Sequence, residues 1–170
     1  MMRLRPYQAS DAEEIVKWIA DERAMRKWSA HWYERFPVTA DDMNALYERM
    51  TAHVHPEILT AVDADGITGH LILRMTDAEK RIVRAGFVIV SDRKRGRGCG
   101  KQLMELAVRY ASEILCAETV SLGVFENNLP ALKCYQSAGF RVVETDEPEY
   151  FEAFGEKWKC LQMERRKCAE

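Results

Sequence analysis

The stretch from Arg81 to Ile114 constrains this chain more than any other. Residues 81–90 (RIVRAGFVIV) are β-branched and near-continuously apolar toward their end, the pattern of a central strand covered on both faces. They run straight into the basic glycine stretch RGRGCGK, residues 95–101. Beyond Gly98, Leu103, Met104, Leu106, Ala107, Tyr110, Ala111 and Ile114 describe the wide apolar stripe of a helix that lies on a sheet. Residues 119–124 (TVSLGV) then read as another strand. Strand, glycine loop, helix and strand in that order make a crossover, the connection that joins parallel strands.

Hairpins flank this unit. Residues 57–63 and 67–75 surround Asp65-Gly66, a dipeptide that accepts the positive φ of a tight turn, and so pair antiparallel. Residues 130–138 read as a short helix, and 140–145 and 157–164 as two further strands. Upstream, Ser10 and Glu13 form a capping-box pattern, and Ala12, Ile15, Val16 and Ile19 follow at helical spacing, predicting a helix from near residue 11 to Arg23. Thr39 caps a second helix, in which Met43, Leu46, Tyr47 and Met50 fall at i, i+3, i+4 and i+7. The expected fold is therefore α/β with a mixed sheet, mostly antiparallel, one parallel pair at its centre and helices packed on it. At 170 residues, with no repeat or linker, one domain over 1–170 is expected.

Charge narrows the partners. The formal net charge is −2, so no general basic field favours nucleic acid or an anionic membrane. Positive charge is local instead, with Arg93, Lys94, Arg95, Arg97 and Lys101 crowded where the strand hands over to the helix. There the N–H groups of the first helical turn lack partners, and glycine lets the backbone approach an anion closely. A phosphorylated small molecule suits the site; a solvated charge run is the plain alternative. The P-loop pattern fails, because Arg95 stands at its first glycine and Gln102 follows Lys101. The dinucleotide fingerprint fails as well, because its third glycine falls on Lys101 or Leu103.

What remains is R-x-x-G-x-G, formed by Arg95, Gly98 and Gly100. It is followed by N-x-x-A-x-x-x-Y-x-x-x-G-F, formed by Asn128, Ala131, Tyr135 and Gly139-Phe140. With both motifs in order after a strand, the chain resembles the GNAT superfamily of N-acetyltransferases over roughly residues 57 to 145, most closely its Rim-like branch. The resemblance implies a twisted sheet splayed apart in the middle, with acetyl-coenzyme A in the split. Its pyrophosphate would lie on the loop Arg95, Gly96, Arg97, Gly98, Cys99, Gly100 and Lys101, its pantetheine arm on the backbone of Val88, Ile89 and Val90, with Asn128 nearby. Tyr135 is similar to the family's general acid, which protonates the leaving thiolate. Asn128 also suits the N-cap of the short helix, and Tyr135 a core position on it.

The implied activity is acetyl transfer to a small-molecule amine or a protein N-terminal amine by direct attack; an acetyl-coenzyme A sensor with little catalysis is the alternative. Relatives in the Rim-like branch place a glutamate just before the glycine-aromatic pair of the central strand, where this chain has Arg84 ahead of Gly86-Phe87. Glu126, Asp77, Glu79 and His70 are the candidates to replace that base. The aromatic loop Trp28, His31, Trp32, Tyr33 and Phe36 either shapes the acceptor pocket or closes the core. The five cysteines, odd in number and without metal-ligand spacing, read as free thiols with no metal site, Cys99 and Cys134 being small packing residues. No apolar signal core opens the chain, so the cytoplasm is the expected compartment. The edge of the final hairpin offers a homodimer contact.

Overall fold

A computed structural model describes residues 1–167. Its elements are β1 (Arg3–Pro6), α1 (Ala12–Ile15), α2 (Glu22–Ser29), α3 (Ala40–Val54), β2 (Glu57–Asp63), β3 (Gly66–Asp77), β4 (Ile82–Val90), α4 (Cys99–Glu113), β5 (Thr119–Phe125), α5 (Leu129–Ser137), β6 (Arg141–Val143), β7 (Glu149–Ala153) and β8 (Glu156–Arg166). Eight strands form one sheet in the order β1-β2-β3-β4-β5-β8-β6, with β7 paired to β8. Every pair is antiparallel except β4 with β5. The mixed sheet and its central parallel pair are as the sequence predicts.

The predicted helix over 11–23 is broken instead. Its first turn is closed by Asp11, whose carboxylate accepts from the Gln8 N–H at 2.9 Å, rather than by Ser10 and Glu13. Helix α1 tightens after Ile15 and stops at Ile19, which is extended. Asp21 then caps α2, accepting from the Ala24 N–H at 2.7 Å. Helix α3 begins at the predicted Thr39, with a capping box in which Thr39 and Asp42 bond reciprocally at 3.1 and 3.0 Å. Strands β1 and β7 are additional to the elements the sequence predicts, and the predicted strand over 140–145 is only three residues long.

Two cores cover the two faces. One packs α4 and α5 on Leu71, Leu73, Val83, Ala85, Leu122 and Met163. The other packs α1, α2 and α3 on Ile72, Phe87 and Ile89. Strand β4 changes face between them at a bulge where Phe87 has φ 51, and the register with β3 steps from Ile72–Gly86 to His70–Ile89. Below the bulge Val83 and Ala85 face the α4 core; above it Val88 and Val90 do, while Phe87 and Ile89 face α1–α3. The parallel pairing stops just before this bulge, joining β4 to β5 only over Ile82–Arg84 and Thr119–Ser121. Past that point the sheet is split.

Candidate active site

The split holds a cleft of about 710 Å³. Its walls are Ala85–Val90 of β4 and Leu122–Val124 of β5, and its ends are the glycine loop and the first turns of α5. Val88, Ile89, Val90, Arg95, Gly96, Gly98, Gly100, Lys101, Asn128 and Tyr135 all line it. Arg97 and Cys99 do not: Arg97 is exposed, and Cys99, the first residue of α4, packs against the core under that helix's face of the sheet.

The glycine loop is shaped as an anion cradle needs. Gly96 and Gly98 take φ of 72 and 78, and a Cβ on either would meet nothing within 4 Å, so conformation rather than crowding calls for glycine. Gly98 is the N-cap of α4, and the helix offers its unpartnered N–H groups at the cleft. Arg95 ties the loop down, donating from Nη2 to the Trp18 carbonyl at 2.7 Å and from Nε to the Val90 carbonyl at 3.4 Å. Lys94 is diverted from the basic cluster, since its ammonium pairs with Asp63 and Asp65. Gly100 is needed for a different reason: a Cβ there would lie 2.8 Å from Cys134 Sγ, so α4 and α5 meet at this point. Cys134 is thus the small packing residue the sequence suggests.

Helix α5 carries the second motif. Asn128 stands at the N-cap but makes no side-chain cap bond, which leaves its amide to the cleft. Tyr135 is buried, packs on Phe140 at 6.3 Å between ring centroids, and makes no side-chain hydrogen bond among the described residues. Burial, with Cys134 adjacent, pushes its phenol well above the ordinary range, so it is protonated throughout the working pH range. A buried, protonated hydroxyl beside an open cleft is a proton donor without a competing partner.

A smaller cavity of about 170 Å³ adjoins the cleft on the α2 side, sharing Lys27, Trp28, Ala85, Gly86, Phe87, Gly123 and Val124 with it. Trp32, Arg74, Arg84 and Cys160 are among the other residues of its wall. The aromatic loop divides between a cavity wall and the core. Trp28 and Trp32 line the cavity, Tyr33 is buried and stacks on Trp28 at 5.7 Å, and His31 and Phe36 are exposed. Arg26 holds the loop in place, donating to the carbonyls of Ala30, Tyr33 and Glu34.

None of the four candidate bases lines either cavity. His70 is fully buried, its Nε2 2.6 Å from the Tyr47 hydroxyl, and burial lowers its pKa to about 3, so it is a neutral core residue. Asp77 pairs with Lys80 in the β3–β4 turn, and Glu79 and Glu126 are exposed. Among the described residues no carboxylate lines either cavity. No group of three or more His, Cys, Asp or Glu suited to a metal occurs among them, and no helix is long and apolar enough to cross a membrane. Cys99, Cys116, Cys134 and Cys160 are free thiols; Cys168 lies outside the described residues.

Known proteins resemble this arrangement at several levels. A spermidine N-acetyltransferase from Vibrio cholerae, solved in complex with CoA and spermine, superposes with a TM-score of 0.79 at 21% identity, over 97% of this chain and 95% of that one. The spermidine N(1)-acetyltransferase of Escherichia coli (strain K12) is 27% identical over 153 residues, 88% of this chain and 78% of that protein. An L-amino acid N-acetyltransferase of the same strain is 28% identical over 105 residues, 58% of this chain and 64% of that protein. Across its curated relatives the chain spans from about a fifth to about four fifths of their length. Residues 16–140 match the family model described as the acetyltransferase (GNAT) family, and the chain belongs to that family of acetyl-coenzyme A-dependent N-acetyltransferases.

Proposed function

We propose that the chain, as one N-acetyltransferase domain, moves the acetyl group of acetyl-coenzyme A to the primary amine of a small molecule, by direct attack of the amine on the thioester. The observation that carries this reading is the single cleft between β4 and β5, which gathers both sequence motifs: the glycine cradle and Tyr135. The donor's pyrophosphate fits the N-terminus of α4, where unpartnered N–H groups, Arg95 and Lys101 meet an anion. The main chain of Val88–Val90, left without a β5 partner by the split, supplies hydrogen bonds for the pantetheine arm and an N–H for the carbonyl oxygen as charge builds on it. Tyr135 then gives its proton to the leaving sulfur. Tyr is normally near 10 and a thiol near 8.5, so full transfer is uphill by about 2 kcal/mol even before burial is counted. A hydrogen bond that strengthens as charge grows on sulfur therefore describes the step better than transfer beforehand.

Among the described residues no carboxylate stands in either cavity to deprotonate the amine, so the neutral fraction of the acceptor enters the site. The relatives named above act on polyamines and amino acids by their descriptions, and they do not single out the Rim-like branch that the motifs suggest. A protein N-terminal amine would also have to reach the cleft past Trp32, which lines the smaller cavity. A cytoplasmic enzyme accords with the donor, and the β7–β8 hairpin, whose Tyr150 and Phe154 are exposed, is the face proposed for a homodimer.

A thermal-shift titration with acetyl-coenzyme A, followed by thiol release with a panel of amines, tests the reading. Stabilisation together with amine-dependent thiol release is expected. Stabilisation without turnover by any amine would favour a sensor, and no stabilisation by acetyl-coenzyme A would overturn the assignment of the cleft.

A further inference from the structure

The smaller cavity has a charge that the acetyl donor does not explain. Lys27, Arg74 and Arg84 stand around it, with Trp28, Trp32 and Phe87 as its apolar wall, and no Asp or Glu lines it among the described residues. Arg74 and Arg84 are directly opposite each other in the β3–β4 register. Like charges directly opposed across an antiparallel pair weaken a sheet, and among the described residues this pair has no carboxylate partner. Arg84 donates from Nη1 to Gln162 Oε1 at 2.9 Å, a neutral partner, and Arg74 makes no side-chain hydrogen bond among the described residues. The carboxylate next along that chain, Glu149, accepts from Gln162 Nε2 at 3.3 Å and is not part of the cavity wall.

Room has been made for this cluster. A Cβ on Gly123 would fall 2.7 Å from Arg84 Nη2, so the glycine of β5 lets the guanidinium lie against the backbone at the mouth of the split. Both arginines are half-buried, which weakens screening by water and leaves their repulsion in place. Burial, with Arg84 adding, moves Arg74 below its usual value, and a guanidinium so moved still stays charged. Arg84 and Lys27 each keep one neutral acceptor, Gln162 Oε1 and the Asn127 carbonyl at 3.1 Å, and Arg74 has none among the described residues. Two guanidiniums and an ammonium thus present N–H donors around a small cavity with no carboxylate in its wall among those residues, the arrangement that binds a carboxylate or another planar oxyanion.

We propose that Arg74 and Arg84, with Lys27, hold an anionic group of the acceptor, so that the substrate class is an amine tethered to a carboxylate, as in an α-amino acid, rather than a polyamine. This deepens the acetyl-transfer reading of the cleft and rests on it. A polyamine would bring several more positive charges into a cavity that already holds three. An amino acid brings one charge that the site lacks, and its amine then lies toward Gly86 and Phe87, residues that the cavity shares with the donor cleft. The remaining positive field disfavours the ammonium form of that amine, which serves deprotonation where no base is present.

The test compares L-amino acids, their carboxamides and spermidine as acceptors at fixed acetyl-coenzyme A, in the wild-type chain and in Arg74→Gln and Arg74→Lys. At least one amino acid is expected to exceed its own amide and spermidine about tenfold in kcat/KM. Arg74→Gln is expected to erase the preference for acid over amide chiefly through KM, and Arg74→Lys to restore part of it. Without ligand, the melting temperature of Arg74→Gln should equal or exceed that of the wild type, since a like-charge contact is removed; a variant that merely misfolds would melt lower. Turnover of spermidine or of amides equal to that of every amino acid would overturn the proposal while leaving acetyl transfer standing. Failure of acetyl-coenzyme A to bind would instead overturn the reading beneath it.

Discussion

Asp11 keeps its charge where water scarcely reaches: its side chain is 3% exposed. Burial alone would raise its pKa, but the Arg5 guanidinium, bonded to both oxygens at 2.7 Å, the Gln8 N–H and the Thr60 hydroxyl outweigh it and hold the carboxyl below its usual value. A carboxyl depressed in the folded state contributes stability that is present above its unfolded pKa of about 3.9 and is lost as pH falls through the lower folded value. Asp11→Asn leaves Arg5 without its counter-charge, and because Arg5 is partly exposed the loss at pH 7 should be about 2–3 kcal/mol, below the range for a fully enclosed pair. Urea unfolding at pH 7 and below pH 3 checks this: the gap between variant and wild type should close in acid. At Tyr135 the expectation is kinetic. Tyr135→Phe should lower kcat about 100-fold while barely changing acetyl-coenzyme A affinity, as loss of a positioned general acid does. A single-turnover assay with the donor saturating reads the two apart. Tyr135 and Arg84 could be singled out in the sequence because each stands in or beside a motif. Arg74 could not, because its meaning comes from the strand register that sets it against Arg84, and a register is a property of two segments rather than one.

Elements were legible where period and cap agreed. Thr39 and the stripe of α3 point to one helix, and one helix forms. The stretch 11–23 carries a helical period too, but Asp21 offers a second cap inside it, and burial of Trp18 and Ile19 is served by turning the chain there. Strands β1 and β7 escaped notice for a different reason. RLRP and EYFEA have no sustained alternation, and each takes its conformation from the edge of a neighbouring strand. The bulge at Phe87 was likewise invisible, since an apolar run that is buried on both faces does not record which face each residue takes. The contact between α4 and α5 permits a test at this scale. Gly100→Ala drives a methyl group against Cys134 Sγ, and because the new Cβ is fixed to the α4 backbone and the Cys134 side chain is short, about 1–3 kcal/mol should be lost. Cys134→Ala removes the obstructing sulfur. The double variant should recover much of the loss, and a double-mutant cycle by chemical unfolding measures how much.

At the scale of the molecule, the sheet is nearly two sheets. The β1–β4 half with its α1–α3 core and the β5–β8 half meet in the sheet over three residue pairs, and beyond Arg84 and Ser121 no ladder joins them. Side-chain bridges span part of the gap: Arg23 of α2 pairs with Glu156 at 2.6 Å and lies over Trp158, and Lys27 reaches the Asn127 carbonyl at 3.1 Å. A ligand filling the cleft would therefore act as the missing seam, touching β4, the α4 N-terminus and the α5 N-terminus at once. At 100 times its dissociation constant such a ligand adds about 2.7 kcal/mol. For a chain of this size that corresponds to a rise of roughly 5–10 °C in melting temperature. The location of the effect matters as much as its size. Hydrogen exchange should slow at Val88–Val90, at the N–H groups of Gly96–Lys101 and in the first turn of α5 together, while the β1–β2 pair, remote from the cleft, stays as it was. Protection confined to the glycine loop would mean that acetyl-coenzyme A binds by its phosphates alone, leaving the two halves uncoupled. Protection in all three places would mean that the split itself is the binding site, and that the gap opened where the β4–β5 ladder stops at Arg84 and Ser121 is the room the donor fills.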